Sequence, residues 1–269
     1  MANNLVFSLT ALMALVPASV LPYRRQGQRR DLLFWSLLCA AVAGPVAFTV
    51  AELLDSWKSD LSVALWVSVA SSVSVFALIA AVSREAWRLA PLLLPYLCLL
   101  ALLAIVWGQA PSQAPPSSAP DAWLLLHIVV SVATYAFCTI AAVAGAAVLI
   151  EERSLKRKGA MRLTRLLPPL VDAESLQIRL LGAAEIVLGL GVVTGISVQY
   201  LKSGSLIALD HKTVLSLIAF AVIAALLLVH HRSGLRGQRA ARLVLLAYLL
   251  LTLAYPGVKF VTDVLMGQA

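Results

Sequence analysis

Of the ionisable side chains within or at the ends of long apolar runs of this chain, five are candidates for chemistry: His127, Glu185, His211, His230 and His231. An ionisable group is costly in hydrocarbon, so its presence there marks either a function or a buried pair. Imidazole stands out, because it can ligate a metal or carry a proton near neutral pH. From His127, Ser131, Thr134, Tyr135 and Cys138 follow at i+4, i+7, i+8 and i+11, which puts all five on one stripe of a helix. Such a stripe faces a bundle interior or a cavity rather than lipid. It reads either as an axial ligand or proton carrier with hydrogen-bonded neighbours, or as interhelical bonding that aids packing.

His211, in Asp210-His211-Lys212, opens a later apolar run at a depth that should match that of His127. Asp210 beside it also suits an ordinary helix start. Two imidazoles meeting from two helices could hold a haem iron from both sides. His230 and His231 close the same run about 28 Å away at roughly 1.5 Å per residue, so they cannot share that iron. They read as a separate inner site or as interfacial residues beside Arg232. For Glu185 a structural ion pair, with an arginine or with His230/His231, or a protonated carboxyl, is preferred to a catalytic base. The step from Gly191 to Gly195 is GxxxG, a close-packing motif between membrane helices.

The elements that must position these groups follow from composition. The 269 residues are 61% apolar and 13% charged, with a mean hydropathy of +0.92. A soluble domain is about half apolar and a quarter charged, so a soluble enzyme, a disordered chain and a nucleic-acid-binding domain are excluded. A span needs about 20 apolar residues. Eight segments qualify, at roughly 4–22, 32–52, 61–82, 89–107, 123–150, 180–201, 211–231 and 243–262. In lipid each must be a helix to satisfy its backbone, and Pro17, Pro45, Pro91, Pro95 and Pro256 then read as tolerated kinks. Cys39, Cys98 and Cys138 stand singly in apolar runs and read as buried hydrophobes.

The net charge is +8, and segments 23–31, 83–88, 151–179 and 232–242 hold 17 of the 21 Lys and Arg. The positive-inside rule puts these loops in the cytoplasm and both termini outside. The basic balance therefore reports topology and attraction to anionic lipid, and no nucleic-acid partner is expected. Residues 1–4 are uncharged and the arginines follow the first apolar run, so that run reads as a retained helix and not a signal peptide. The fold expected is all-α: a polytopic integral membrane protein of eight transmembrane helices. Residues 1–107 form four amino-terminal helices, 108–122 a Pro/Ser/Ala-rich outer linker and 123–269 a second four-helix half. The inner loop 151–179 begins as a helix continuing out of the fifth span. No nucleophile motif, glycosidase-like carboxylate pair or zinc-type cluster appears, so the chain is not expected to be an enzyme.

The carboxy-terminal half, about 123–262, resembles the cytochrome c assembly protein family of CcsA/ResC type, and within it the short inner-membrane branch of YpjD or HemX type. The resemblance rests on four stretches: residues 126–131 through Thr134-Tyr135-Ala136; residues 173–176 with Arg179, then Val193-Thr194-Gly195; residues 210–216; and residues 228–230, 234–241 and 255–260. It implies a bacterial inner (cytoplasmic) membrane protein handling haem b non-covalently, or assembling a haem-containing complex. The partners it implies are the lipid bilayer, an apocytochrome, or a respiratory or other haem-containing membrane complex. His127 would be the first outer ligand and His230 the histidine near the inner face. The family's tryptophan-rich outer segment has no counterpart, since residues 190–215 hold no Trp, and residues 263–269 hold no late histidine. The second axial position would then fall to His211, with Tyr135 and Ser131 beside the iron site. Two other functions stay open: a haem-free membrane scaffold or accessory subunit, and a small-solute transporter centred on Glu185.

Overall fold

The computed structural model describes residues 2–25, 30–55, 60–108, 121–156, 163–204, 211–257 and 260, and among them there is no strand. The helices are α1 (Ala2–Arg24), α2 (Leu32–Asp55), α3 (Leu61–Val82), α4 (Ala90–Trp107), α5 (Ala122–Lys156), α6 (Leu170–Ser203), α7 (His211–Ser233) and α8 (Gly237–Thr252). Seven of them are long and apolar enough to cross a membrane. The chain is thus a multi-pass all-α membrane protein. The regular part of α8 has 16 residues and passes into a π-helical turn over Leu253–Gly257 that holds Pro256. Proline lacks an N–H and crowds the carbonyl four residues back, and a widened turn accommodates both. The rest of the expected eighth span runs on into residues outside the described ones.

Two helix starts differ from expectation. Pro91 is not a mid-span kink: it lies in the first turn of α4, after a short 3-10 turn over Ala86–Leu89, where its missing N–H costs nothing. Helix α6 begins at Leu170, ten residues before the apolar run expected at 180. Pro168-Pro169 delimits its start, and Asp172 in its first turn suits the positive end of the helix dipole. The polar stretch 172–179 is therefore helix and not loop. As expected, α5 runs beyond its apolar run to Lys156. The linker residues 109–120 and the loop residues 157–162 lie outside the described residues.

The chain divides into two compact units, Met1–Ser117 with Arg153–Asp172, and Ser118–Glu152 with Ala173–Ala269. In the first, α1 packs on α2 and α4, and α3 on α4 and α2. Gly44 brings α2 onto α1: a Cβ there would lie 2.7 Å from Ala14 Cβ. Trp66 is buried with its ring 4.9 Å from that of Phe48, and Ser62 Oγ donates to the Ala104 carbonyl at 2.7 Å, tying α3 to α4.

The second unit holds α7, α8, α5 as far as Glu152 and α6 from Ala173. Without a hydrophobic drive between helices in lipid, small residues that allow close approach carry the packing. Buried Ala136, Ala141, Ala144 and Ala147 supply them on α5. Gly191 of α6 faces Val130, Gly189 faces Phe220 of α7, and Gly145 of α5 faces Gln177 and the Ala241 backbone of α8.

Candidate functional site

His127 lies in the first turns of α5, whose start is capped by Asp121: its Oδ1 accepts the Leu124 N–H at 2.8 Å. Trp123, Leu126 and Val129 around it are exposed, as lipid-facing groups would be. The imidazole itself is half-buried and turned towards α6. Its Nδ1 lies 3.1 Å from Thr194 Oγ1. Thr194 has a single hydroxyl proton, and its Oγ1 lies 2.9 Å from the Leu190 carbonyl and 3.1 Å from that of Gly191. Carbonyls only accept: with the hydroxyl proton on one of them Thr194 accepts from His127 Nδ1–H, and in the other tautomer of the ring Thr194 donates to Nδ1. In the first of these arrangements the free lone pair of the neutral ring is on Nε2, as in a metal-binding histidine whose other nitrogen is held.

The GxxxG step serves this contact. Gly195 lies against the ring: a Cβ there would stand 3.0 Å from His127 Cε1 and 3.5 Å from Nδ1. At Gly191 a Cβ would meet Val130 Cγ1 at 3.6 Å, an ordinary contact. Glycine at 195 is thus what gives the imidazole its place against α6.

The rest of the stripe turns elsewhere. Ser131 Oγ donates to the His127 carbonyl at 2.7 Å and Thr134 Oγ1 to that of Val130 at 2.9 Å, both on their own helix. Tyr135 is buried and its hydroxyl lies 2.9 Å from that of Tyr248 on α8, with the rings 5.5 Å apart. Thr139 Oγ1 donates to the Tyr135 carbonyl at 2.7 Å and lies 3.4 Å from the Tyr248 hydroxyl. The His127 ring is bonded to α6, at Thr194 and the Gly191 backbone, and the tyrosine stands about 12 Å along the helix from it. Sequence reasoning missed Tyr248, whose sole signal is one hydroxyl in a leucine-rich run. Thr194 was visible only as part of a family-like stretch.

Among the described residues Glu185 has no ion pair. Both carboxylate oxygens are buried, with no hydrogen-bond partner among the described residues, and the nearby titratable group is the buried Cys138 thiol. The two histidines expected as partners from the sequence are engaged elsewhere. His230 Nδ1 lies 2.8 Å from the Leu235 carbonyl and His231 Nδ1 2.8 Å from that of Leu227. His211 is the first residue of α7. Its side chain, and Asp210 with it, lie outside the described residues, so the expected pairing with His127 is not described.

The far end of the unit holds a second constellation. Glu174 Oε1 of α6 accepts the Gly237 N–H at 2.9 Å, and Glu152 Oε1 of α5 accepts the Gln238 N–H at 3.0 Å. Two carboxylates from two helices thus cap the first turn of α8, where the helix dipole favours negative charge. Gly237 has φ +67°, which glycine adopts without strain, and a Cβ there would collide with Glu152 Oε1. The histidine, the glycine-rich turn and Glu174, which are scattered in the sequence, form one structural joint.

Comparison with known proteins gives a consistent picture. A family described as "Cytochrome C assembly protein" matches residues 31–266. An "Uncharacterized 28.8 kDa protein in nifR3-like 5'region" of Azospirillum brasilense is 52% identical over 271 residues, covering 99% of this chain and all of that protein. The "Inner membrane protein YpjD" of Escherichia coli K12 is 27% identical over 270 residues, covering 97% of this chain and 99% of that one. No solved structure gives a significant match.

Proposed function

The chain belongs to the cytochrome c assembly protein family, and on that premise we propose that it binds b-type haem non-covalently, with His127 Nε2 as an axial ligand. Membership supports a haem-handling role in general. The observation that carries the finer reading is the His127–Thr194 bond, which holds Nδ1 and leaves Nε2 free. Haem would bring an iron already held by four ring nitrogens and wanting only axial ligands. This suits a fold in which, among the described residues, no three His, Cys, Asp or Glu side chains gather.

In this reading Thr194 fixes the tautomer and the ring plane, Gly195 leaves room for the ring, and Ser131 and Tyr135 continue the same face of α5. His211, at the start of α7, is the candidate for the opposite axial position. His230 belongs to the other end of the unit, and its Nδ1–H goes to the turn before α8. The chain makes and breaks no bonds of its own. It holds haem near the outer face of a bacterial inner membrane, with the basic loops in the cytoplasm, and serves an apocytochrome or the assembly of a haem-containing complex. To test this, the protein is expressed with ample haem, purified in detergent and extracted with acidified acetone. About one haem per chain, released by the solvent, is expected; a colourless protein overturns the proposal.

A second reading has one observation in its favour. The same His127–Thr194 bond ties α5 to α6, as interhelical glue would in a haem-free scaffold. Stoichiometric co-purification of a partner complex without any chromophore would favour it.

A further inference from the structure

The end of the second unit that carries the α7–α8 turn is rich in uncommitted arginine. Arg179 on α6, Arg232 at the end of α7, Arg236 just before α8, and Arg239 and Arg242 on α8 are all exposed. Among the described residues none of these five side chains has a hydrogen bond or an ion pair. In the first unit Arg24 and Arg84 are likewise exposed and without a bond among the described residues, while three other arginines are engaged. There Arg25 lies 2.6 Å from Asp31, Arg88 lies 3.6 Å from Glu85, and Arg30 donates to the Ala81 carbonyl and covers the Trp35 ring.

Glu152 and Glu174 stand at this turn, and each gives an oxygen to the first N–H groups of α8. The same contacts bring the arginines together. Arg236 and Arg239 flank Gly237 and Gln238, the two residues that the carboxylates hold. Arg239 and Arg242 are spaced i, i+3 and so share a face of α8. Arg179 is five residues beyond Glu174, about 7.5 Å along the helix at 1.5 Å per residue. Arg232 closes α7 directly after its apolar run, and Arg242 stands two residues before buried Val244. The guanidinium groups therefore lie at the ends of the spans, where polar heads of long side chains reach lipid head groups.

We propose that Arg179, Arg232, Arg236, Arg239 and Arg242 form a docking site for the phosphate head groups of anionic phospholipid in the adjoining leaflet. All five are arginine rather than lysine, and the planar guanidinium takes phosphate oxygens two at a time. Basic clusters of this size next to a span attract anionic lipid. The site is independent of the haem reading, because it lies at the opposite end of α7 from His211. Arg236 makes no side-chain cap to α8, so its replacement leaves the helix start intact.

The test is the thermal unfolding of the full chain in a neutral detergent, titrated with short-chain phosphatidylglycerol, with phosphatidylcholine of the same chain length, or with inorganic phosphate. Phosphatidylglycerol is expected to raise Tm saturably and the other two to leave it in place. In Arg236→Gln/Arg239→Gln/Arg242→Gln the midpoint of that response moves up about tenfold or more; in Arg24→Gln/Arg84→Gln, from the first unit, it stays. Added salt weakens the response of the unaltered protein, a readout that needs no variant to fold. The proposal is overturned by an unchanged midpoint in the triple variant or by equal stabilisation with phosphate alone. A flat phosphatidylglycerol titration also overturns it and assigns the arginines to an acidic protein surface instead.

Discussion

His127 Nδ1 lies 3.1 Å from Thr194 Oγ1, and that contact joins α5 to α6 through one imidazole nitrogen. With the Thr194 proton on its own helix, as the haem reading requires, the histidine donates through Nδ1 and presents Nε2.

Removing the Thr194 hydroxyl while keeping its shape tests that hold. Thr194→Val leaves Nδ1–H without its acceptor, so the ring is no longer fixed. Loss of such an outer partner weakens metal binding by roughly 10- to 100-fold, and the lost interhelical bond costs about 1 kcal/mol of stability. Haem titration into the apoprotein should show the weaker binding in Thr194→Val and near-normal binding in Thr194→Ser. Equal affinity for all three proteins would remove Thr194 from the account.

The two glycines of the GxxxG step should behave differently. A methyl at 195 would stand 3.0 Å from His127 Cε1, whereas one at 191 meets Val130 at an ordinary 3.6 Å. Gly195→Ala is expected to displace the imidazole and reduce haem content; Gly191→Ala is expected to keep both. The haem-to-protein absorbance ratio of the purified variants decides between them, and equal losses would mean that helix packing, not the ring, is at stake.

At the other end of the unit, Gly237→Ala combines a strained φ with a collision against Glu152. It should destabilise by about 1–3 kcal/mol. Glu174→Ala, which removes a cap to α8, should cost about 1 kcal/mol. Both are read as a lower Tm in detergent, with the haem spectrum of the remaining folded protein unchanged. A shifted spectrum would connect this joint to the haem site, which the account does not.

Asp31 gives a pH prediction. The Arg25 side chain, and then the Phe34 N–H, hold its carboxyl below the ordinary aspartate range. A lowered folded-state value means that the carboxylate stabilises at neutral pH and that the contribution fades as pH falls through the acid range. The Tm gap between the unaltered protein and Asp31→Asn should therefore narrow on acidification. A gap that stays constant down to low pH would contradict the ion pair.

Much of the fold was legible because hydropathy alone marks spans. The continuation of α5 to Lys156 was legible from its charged tail. The start of α6 was not, because Asp172, Glu174, Gln177 and Arg179 make 170–179 polar, and a hydropathy run cannot tell helix in water from loop. The end of regular α8 depended on how Pro256 is accommodated, which needs the backbone. His127 stood out in the sequence as an ionisable group in an apolar run, but Thr194 did not. Its role depends on the rotation of α6 against α5, set by Gly195, and one helix's pattern carries no record of the other's phase. Tyr135 looked like a neighbour of His127 by helical spacing, yet its hydroxyl meets Tyr248, because eight residues is more than two turns of height.

The central claim is that His127 Nε2 is an axial haem ligand, and the reduced-minus-oxidised absorption spectrum of the purified protein tests it most directly, recorded beside His127→Ala. The account predicts a b-type spectrum in the unaltered protein and a lost or strongly altered one in the variant, with added imidazole restoring it in part. An intact spectrum in His127→Ala, or a featureless one in the unaltered protein after expression with ample haem, would contradict it.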